Sequence, residues 1–138
     1  MTDPDLIAKK LAFIETCVSQ LRRLARPDQI ATDVREERFV EHTLQLAIQA
    51  ALDVASHIVS DERLGEPKTN YDLFDLLHGA GWIDEGQRAT LRKMAGFRNL
   101  IVHGYMAVDL EIVRSIVETK LDDLLSFAAA IRARLPEP

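Results

Sequence analysis

Cysteine is almost missing from this 138-residue chain: Cys17 stands alone. No internal disulfide can form. With no CxxC pair and no Cys/His ligand set, a zinc site is excluded as well. Glycine and proline are scarce, at 6 and 5 residues, which argues against a loop-rich or low-complexity chain. Long apolar runs are also lacking. The stretch poorest in charge, His42 to Ser56 with Asp53 inside it, is too short and too polar to span a bilayer. The first residues are acidic and at once amphipathic, so no signal peptide is expected. A soluble protein of the reducing cytoplasm is the expected setting. What is present is ordinary for a folded domain, with 47% hydrophobic and 28% charged residues. One domain over residues 1–138 is expected, large enough to bury a core without a disulfide or structural metal.

The net charge of −5 argues at first against a nucleic-acid partner, because phosphates reward basic surfaces. The distribution matters more than the sum. From Gln87 to Tyr105 there is no acidic residue, while Arg88, Arg92, Lys93 and Arg98 all fall there. One basic segment sits on an acidic body. It is either a solvated helix face or an RNA-binding stripe.

The hydropathy pattern is helical almost throughout. Thr2 or Asp3 can cap a first helix with Pro4 in its opening turn, where a missing N–H costs nothing. Ile7, Leu11, Ile14, Val18 and Leu21 recur at the spacing of one helix face. Arg26-Pro27-Asp28 ends it. A long second helix is predicted from about Asp33 to Ser60, with an apolar stripe wide enough for the central member of a bundle. Asp61 to Thr69, containing Gly65 and Pro67, is a loop. Asn70 or Asp72 starts a short third helix closed by Gly79 and Gly81. Asp84 caps a fourth, Glu85 to His103, and Asp109 a fifth, Leu110 to Arg134. No run alternates with period two, so an all-α, up-and-down bundle of about five helices is expected.

The fourth helix carries an anomaly. At 100° per residue from Leu91, Val102 falls at about 20°, Ala95 at about 40° and Met94 at about 300°. Arg98 falls at about 340°, inside that apolar face. A guanidinium is rarely buried unpaired. Either Arg98 meets a carboxylate of its own bundle, or the face meets a second chain and a polar cavity. On the flank, Asn99 and His103 are four apart and can touch, which would orient the imidazole. Arg98 and His103 are five apart, about 140° round the axis, so the two cannot stack but can both open on a groove at the helix end. Elsewhere, Asp53 and His57 suit an internal hydrogen bond better than half a metal site. His42 and His78 suit surface or capping positions, and Trp82 suits a core plug. The segment Asp33 to Glu41 suits a solvated face.

Arg98-Asn99-Leu100-Ile101-Val102-His103-Gly104-Tyr105 resembles the R-x4-H-x-Y motif of the HEPN superfamily, in its HepT-like toxin branch. Residues Leu46 to Ile58 are similar to that branch's second helix, and Tyr71 to Ile83 and the helix after Asp109 follow its layout. Gly104 departs from the pattern, since relatives often carry an acidic or polar residue there. The resemblance implies a metal-independent endoribonuclease toxin of a toxin–antitoxin pair, without cofactor, whose partner is a minimal nucleotidyltransferase antitoxin. It implies that Arg98 and His103 are the catalytic pair, supported by Asn99, and that Tyr105 is the hydroxyl that receives AMP. RNA-binding is then expected at Arg88, Arg92 and Lys93.

The residue types suit that chemistry. RNA carries its own nucleophile, the 2′-OH. Histidine serves general acid–base work, and the arginine fork matches two phosphate oxygens as charge develops on them. One His per chain supplies a base but not also an acid. A two-fold homodimer with fourth helices facing would bring two copies of each into one cleft, giving a 2′,3′-cyclic phosphate. Two other readings stay open: a non-catalytic HEPN protein that binds a nucleotide or supports a nucleotidyltransferase, and a plain helical interaction module.

Overall fold

A computed structural model of the chain describes residues 3–103 and 109–135. Among the described residues six α-helices follow one another: α1 (Pro4–Leu24), α2 (Val34–Asp61), α3 (Asn70–Gly79), α4 (Glu85–His103), α5 (Leu110–Thr119) and α6 (Leu121–Arg134). A single 3₁₀ turn, Pro27–Gln29, lies between the first two. The all-α expectation holds. Among the described residues no helix is long and apolar enough to cross a membrane.

The helix starts follow local chemistry. The Asp3 carboxylate accepts from the amides of Asp5 and Leu6 at the mouth of α1. Asp33 accepts from Arg35 before α2, and Asp109 from Glu111 before α5. Asp84 and Gln87 form a reciprocal capping box at α4: the Gln87 amide donates to Asp84 at 2.7 Å, and the Asp84 amide to the Gln87 side chain at 2.9 Å.

α2 is the central element. It packs against each of the other five helices. Its Val40, Leu44, Ala47, Ile48, Ala51, Val54, Ala55 and Ile58 are buried. From the other side the core receives Leu91, Met94 and Ala95 of α4, and Leu124, Phe127 and Ala128 of α6. Phe127 meets Phe74 of α3 edge to face, with ring centroids 6.1 Å apart. Leu124 is fully buried, so Leu124→Ala should cost about 3 kcal/mol through lost transfer energy and the cavity left behind. A urea midpoint shifted at constant slope would register that loss.

The fifth expected helix is divided. Lys120, at φ −119° and ψ 0°, ends α5 and starts α6. The Thr119 hydroxyl donates to the Ser115 carbonyl at 2.7 Å, a back-bond that bends helices. Asp122 and Asp123 then stand in the first turn of α6, where the helix dipole favours negative charge.

A second correction concerns Asp53. It accepts from Lys10 at 3.3 Å and from Gln49 at 2.9 Å, and no bond joins it to His57. His78, expected at a surface or capping position, is half-exposed, and its Nδ1 lies 3.1 Å from the carbonyl oxygen of Ile83 in the turn after α3. Trp82 is buried as a plug, with the Arg134 guanidinium 4.5 Å from its ring centroid.

Candidate active site at the end of helix α4

α4 is held against α3 by one carboxylate. Asp75 accepts from Arg88 at 2.8 Å through one oxygen and from Arg92 at 2.6 Å through the other. Arg88 also forks onto Glu85 at 2.7 and 2.6 Å. These hydrogen bonds, to Glu85 first and then Asp75, push the Arg88 guanidinium's pKa further up. Two of the three basic side chains expected to bind RNA, Arg88 and Arg92, are therefore engaged within the protomer. Lys93 points out and is exposed.

One turn further on lies Tyr71 of α3, with the Arg92 guanidinium 5.4 Å from the centre of its ring. The Tyr71 hydroxyl accepts from the Asn99 side-chain amide at 3.3 Å. The Asn99 carbonyl oxygen, thereby turned the other way, accepts from an Arg98 terminal nitrogen at 3.0 Å. A chain of contacts thus runs from Asp75 through Arg92, Tyr71 and Asn99 to Arg98. Sequence reasoning missed Tyr71 and Asp75, because both stand on another helix, Tyr71 28 residues before Asn99, and follow no local spacing along α4.

Arg98 is half-buried, and among the described residues no carboxylate pairs with it; its one partner is the neutral amide of Asn99. Its Nε is buried without a hydrogen-bond partner. A guanidinium has five N–H donors, and a buried donor left unmade is costly. Among the described residues, the internal ion pair weighed for this side chain does not form. The apolar face around it also runs off the core: Leu91, Met94 and Ala95 are buried, whereas Val102 is 42% exposed. Leu100 and, on α5, Ile112 are exposed as well.

His103 occupies the last turn of α4 and is exposed. It lines a cleft of about 670 Å³ together with Asn99, Tyr71, Gly96, Lys93 and Ile112. Tyr105 lies outside the described residues.

α4 thus carries an exposed imidazole in its last turn and a half-buried guanidinium with no carboxylate partner among the described residues. Comparisons with known proteins identify the family. The profile of the ribonuclease HepT-like family matches residues 14–131. An mRNA nuclease HepT from Shewanella oneidensis is 32% identical over 130 residues, covering 94% of this chain and 98% of that protein. A tRNA nuclease HepT from Aphanizomenon flos-aquae is 27% identical over 109 residues, covering 78% of this chain and 74% of that one. A solved complex of a tri-AMPylated Shewanella oneidensis HEPN toxin with an MNT antitoxin superposes with a TM-score of 0.89 at 32% identity, over 96% of this chain and all of that one. The chain belongs to the HepT-like ribonuclease family of HEPN proteins.

Proposed function

We propose that this chain is the toxin of a toxin–antitoxin pair, a metal-independent endoribonuclease whose site is completed by a second copy of itself. The observation that carries the proposal is Arg98, a guanidinium held on the apolar face with a buried Nε that no group among the described residues satisfies. A phosphate oxygen would satisfy it. The exposed Val102, which falls on the same side of α4 as Arg98, supports a two-fold contact through the end of α4.

In the reaction, His103 of one copy takes the proton of the 2′-OH. The freed 2′-oxygen attacks the adjacent phosphorus, and Arg98 stabilises the charge that grows on the equatorial oxygens. The bond to the 5′-oxygen breaks as His103 of the other copy, protonated, supplies its proton. The products are a 2′,3′-cyclic phosphate and a free 5′-hydroxyl. Asn99 orients Arg98. Lys93 meets the strand, while Arg88 and Arg92 are turned to Asp75 and contribute to RNA binding through α4's placement.

Control by a minimal nucleotidyltransferase antitoxin is proposed through AMP esterified to the Tyr105 hydroxyl. The likeness to a tri-AMPylated toxin bound to an MNT antitoxin supports it. The added phosphate would bring a bulky anion to the Arg98–His103 site and compete for the arginine fork.

The test is incubation of the purified protein with RNA in excess EDTA. Cleavage leaving cyclic-phosphate ends is expected. RNA or nucleotide bound but uncut would replace the nuclease by a non-catalytic binding protein. Tyr105→Phe should cleave RNA as the parent does yet escape silencing when coexpressed with an active nucleotidyltransferase. Intact mass reads the adducts directly, and an undiminished adduct on the Phe variant would move the modification to another hydroxyl.

A further inference from the structure

The cleft of about 670 Å³ between α3 and α5 is wider than two catalytic side chains need. It lies within the range of small-molecule sites, roughly 300–1,000 Å³. We propose that it is a nucleobase subsite, receiving a base next to the scissile phosphate, with Tyr71 as its stacking wall. The proposal rests on the ribonuclease reading and adds to it the element that selects where RNA is cut.

Three contacts fix the Tyr71 ring. Its hydroxyl is bonded to Asn99, the Arg92 guanidinium lies over the ring, and Asp75 holds Arg92 in turn. The third contact is Gly96, where a Cβ would stand 3.4 Å from the hydroxyl and 3.6 Å from a ring carbon. Glycine inside a helix lowers its stability, and here it lets the ring lie close against α4. An aromatic ring fixed in this way stacks on a base at little entropic cost, and such stacking is how proteins read unpaired RNA.

The lining is mostly apolar surface, which suits the flat face of a base. Leu100 and Ile112 give it flat apolar sides, while Lys93, Asn99 and His103 also line it. None of the described lining residues is acidic, although the chain as a whole carries a net charge of −5. Asn99 lines this cleft and accepts from Arg98, and His103 lines the cleft beside it. A base seated against Tyr71 therefore has its phosphate within reach of the reacting groups.

The experiment measures binding of the full chain to a short single-stranded RNA with 2′-O-methyl on every sugar, which cannot be cleaved. One abasic position is moved along the strand, and affinity is read by fluorescence anisotropy. Loss of one particular base should weaken binding to the unaltered protein about ten-fold, the size of one base–aromatic stack. In Tyr71→Leu that penalty should vanish, and in Tyr71→Phe, which keeps the ring and loses only the hydroxyl, it should persist. Ile112→Glu, at an exposed position where folding is not at issue, should also abolish it. A penalty unchanged in Tyr71→Leu and Ile112→Glu, or none at any position in the unaltered protein, overturns the subsite. The EDTA assay keeps the two proposals apart. Cleavage without a base penalty removes the subsite alone, and a penalty without cleavage removes the nuclease alone.

Discussion

Replacing His103 by alanine is expected to lower RNA cleavage by about 10²–10⁴-fold, the usual contribution of a positioned acid or base. The drop should appear in kcat, with the substrate's KM little changed, because the imidazole moves protons rather than anchors the strand. His103 is exposed in the last turn of α4, so the thermal unfolding curve should stay where it is. In the composite site each cleft uses His103 from both copies. Mixing His103→Ala subunits with Arg98→Ala subunits should therefore not restore full activity, since no cleft in the mixed dimer then holds two imidazoles. Full cleavage by the His103→Ala protein alone would remove the residue from the mechanism.

Arg98→Met should act on activity and stability in opposite directions. Cleavage should fall by about 10²–10³-fold, as when a preorganised group that stabilises transition-state charge is lost. Stability should rise by about 1 kcal/mol, because the substitution removes a buried donor that nothing satisfies. A paired structural arginine behaves the other way, since breaking its ion pair destabilises the fold. Single-turnover kinetics and urea unfolding on the same preparation decide the matter. A variant that both unfolds more easily and still cleaves RNA would return Arg98 to a purely structural role. The combination expected here is the trade of stability for function that sites held ready for a ligand commonly show.

Much of the fold was legible because its signals are local. Asp3, Asp33, Asp84 and Asp109 each precede an apolar period of 3.6, and each caps or opens the helix assigned to it. The division at Lys120 was not legible. Val113, Ile116, Val117, Leu121, Leu124 and Ala128 keep one apolar phase across the break, so periodicity reads straight through a bend made by a hydroxyl back-bond. The site divides in the same way. Arg98 stood out as a charge in the wrong sector of a helical wheel, which is a property of one helix. Its supporting chain through Asn99, Tyr71, Arg92 and Asp75 joins two helices, and the spacing of residues along α4 carries no trace of it. The Asp53–His57 pairing failed for a related reason: Lys10, from α1, reaches the carboxylate instead.

The Asp75 clamp also bears on how the protein senses its medium. Arg88 and Arg92 already face a carboxylate, so along this stripe Lys93 and Arg98 remain to displace small cations from an RNA strand. Affinity that draws on so few displaced ions varies gently with ionic strength. The grip on RNA would then depend on shape more than on attraction at a distance, and would hold nearly steady as salt in the cell rises and falls.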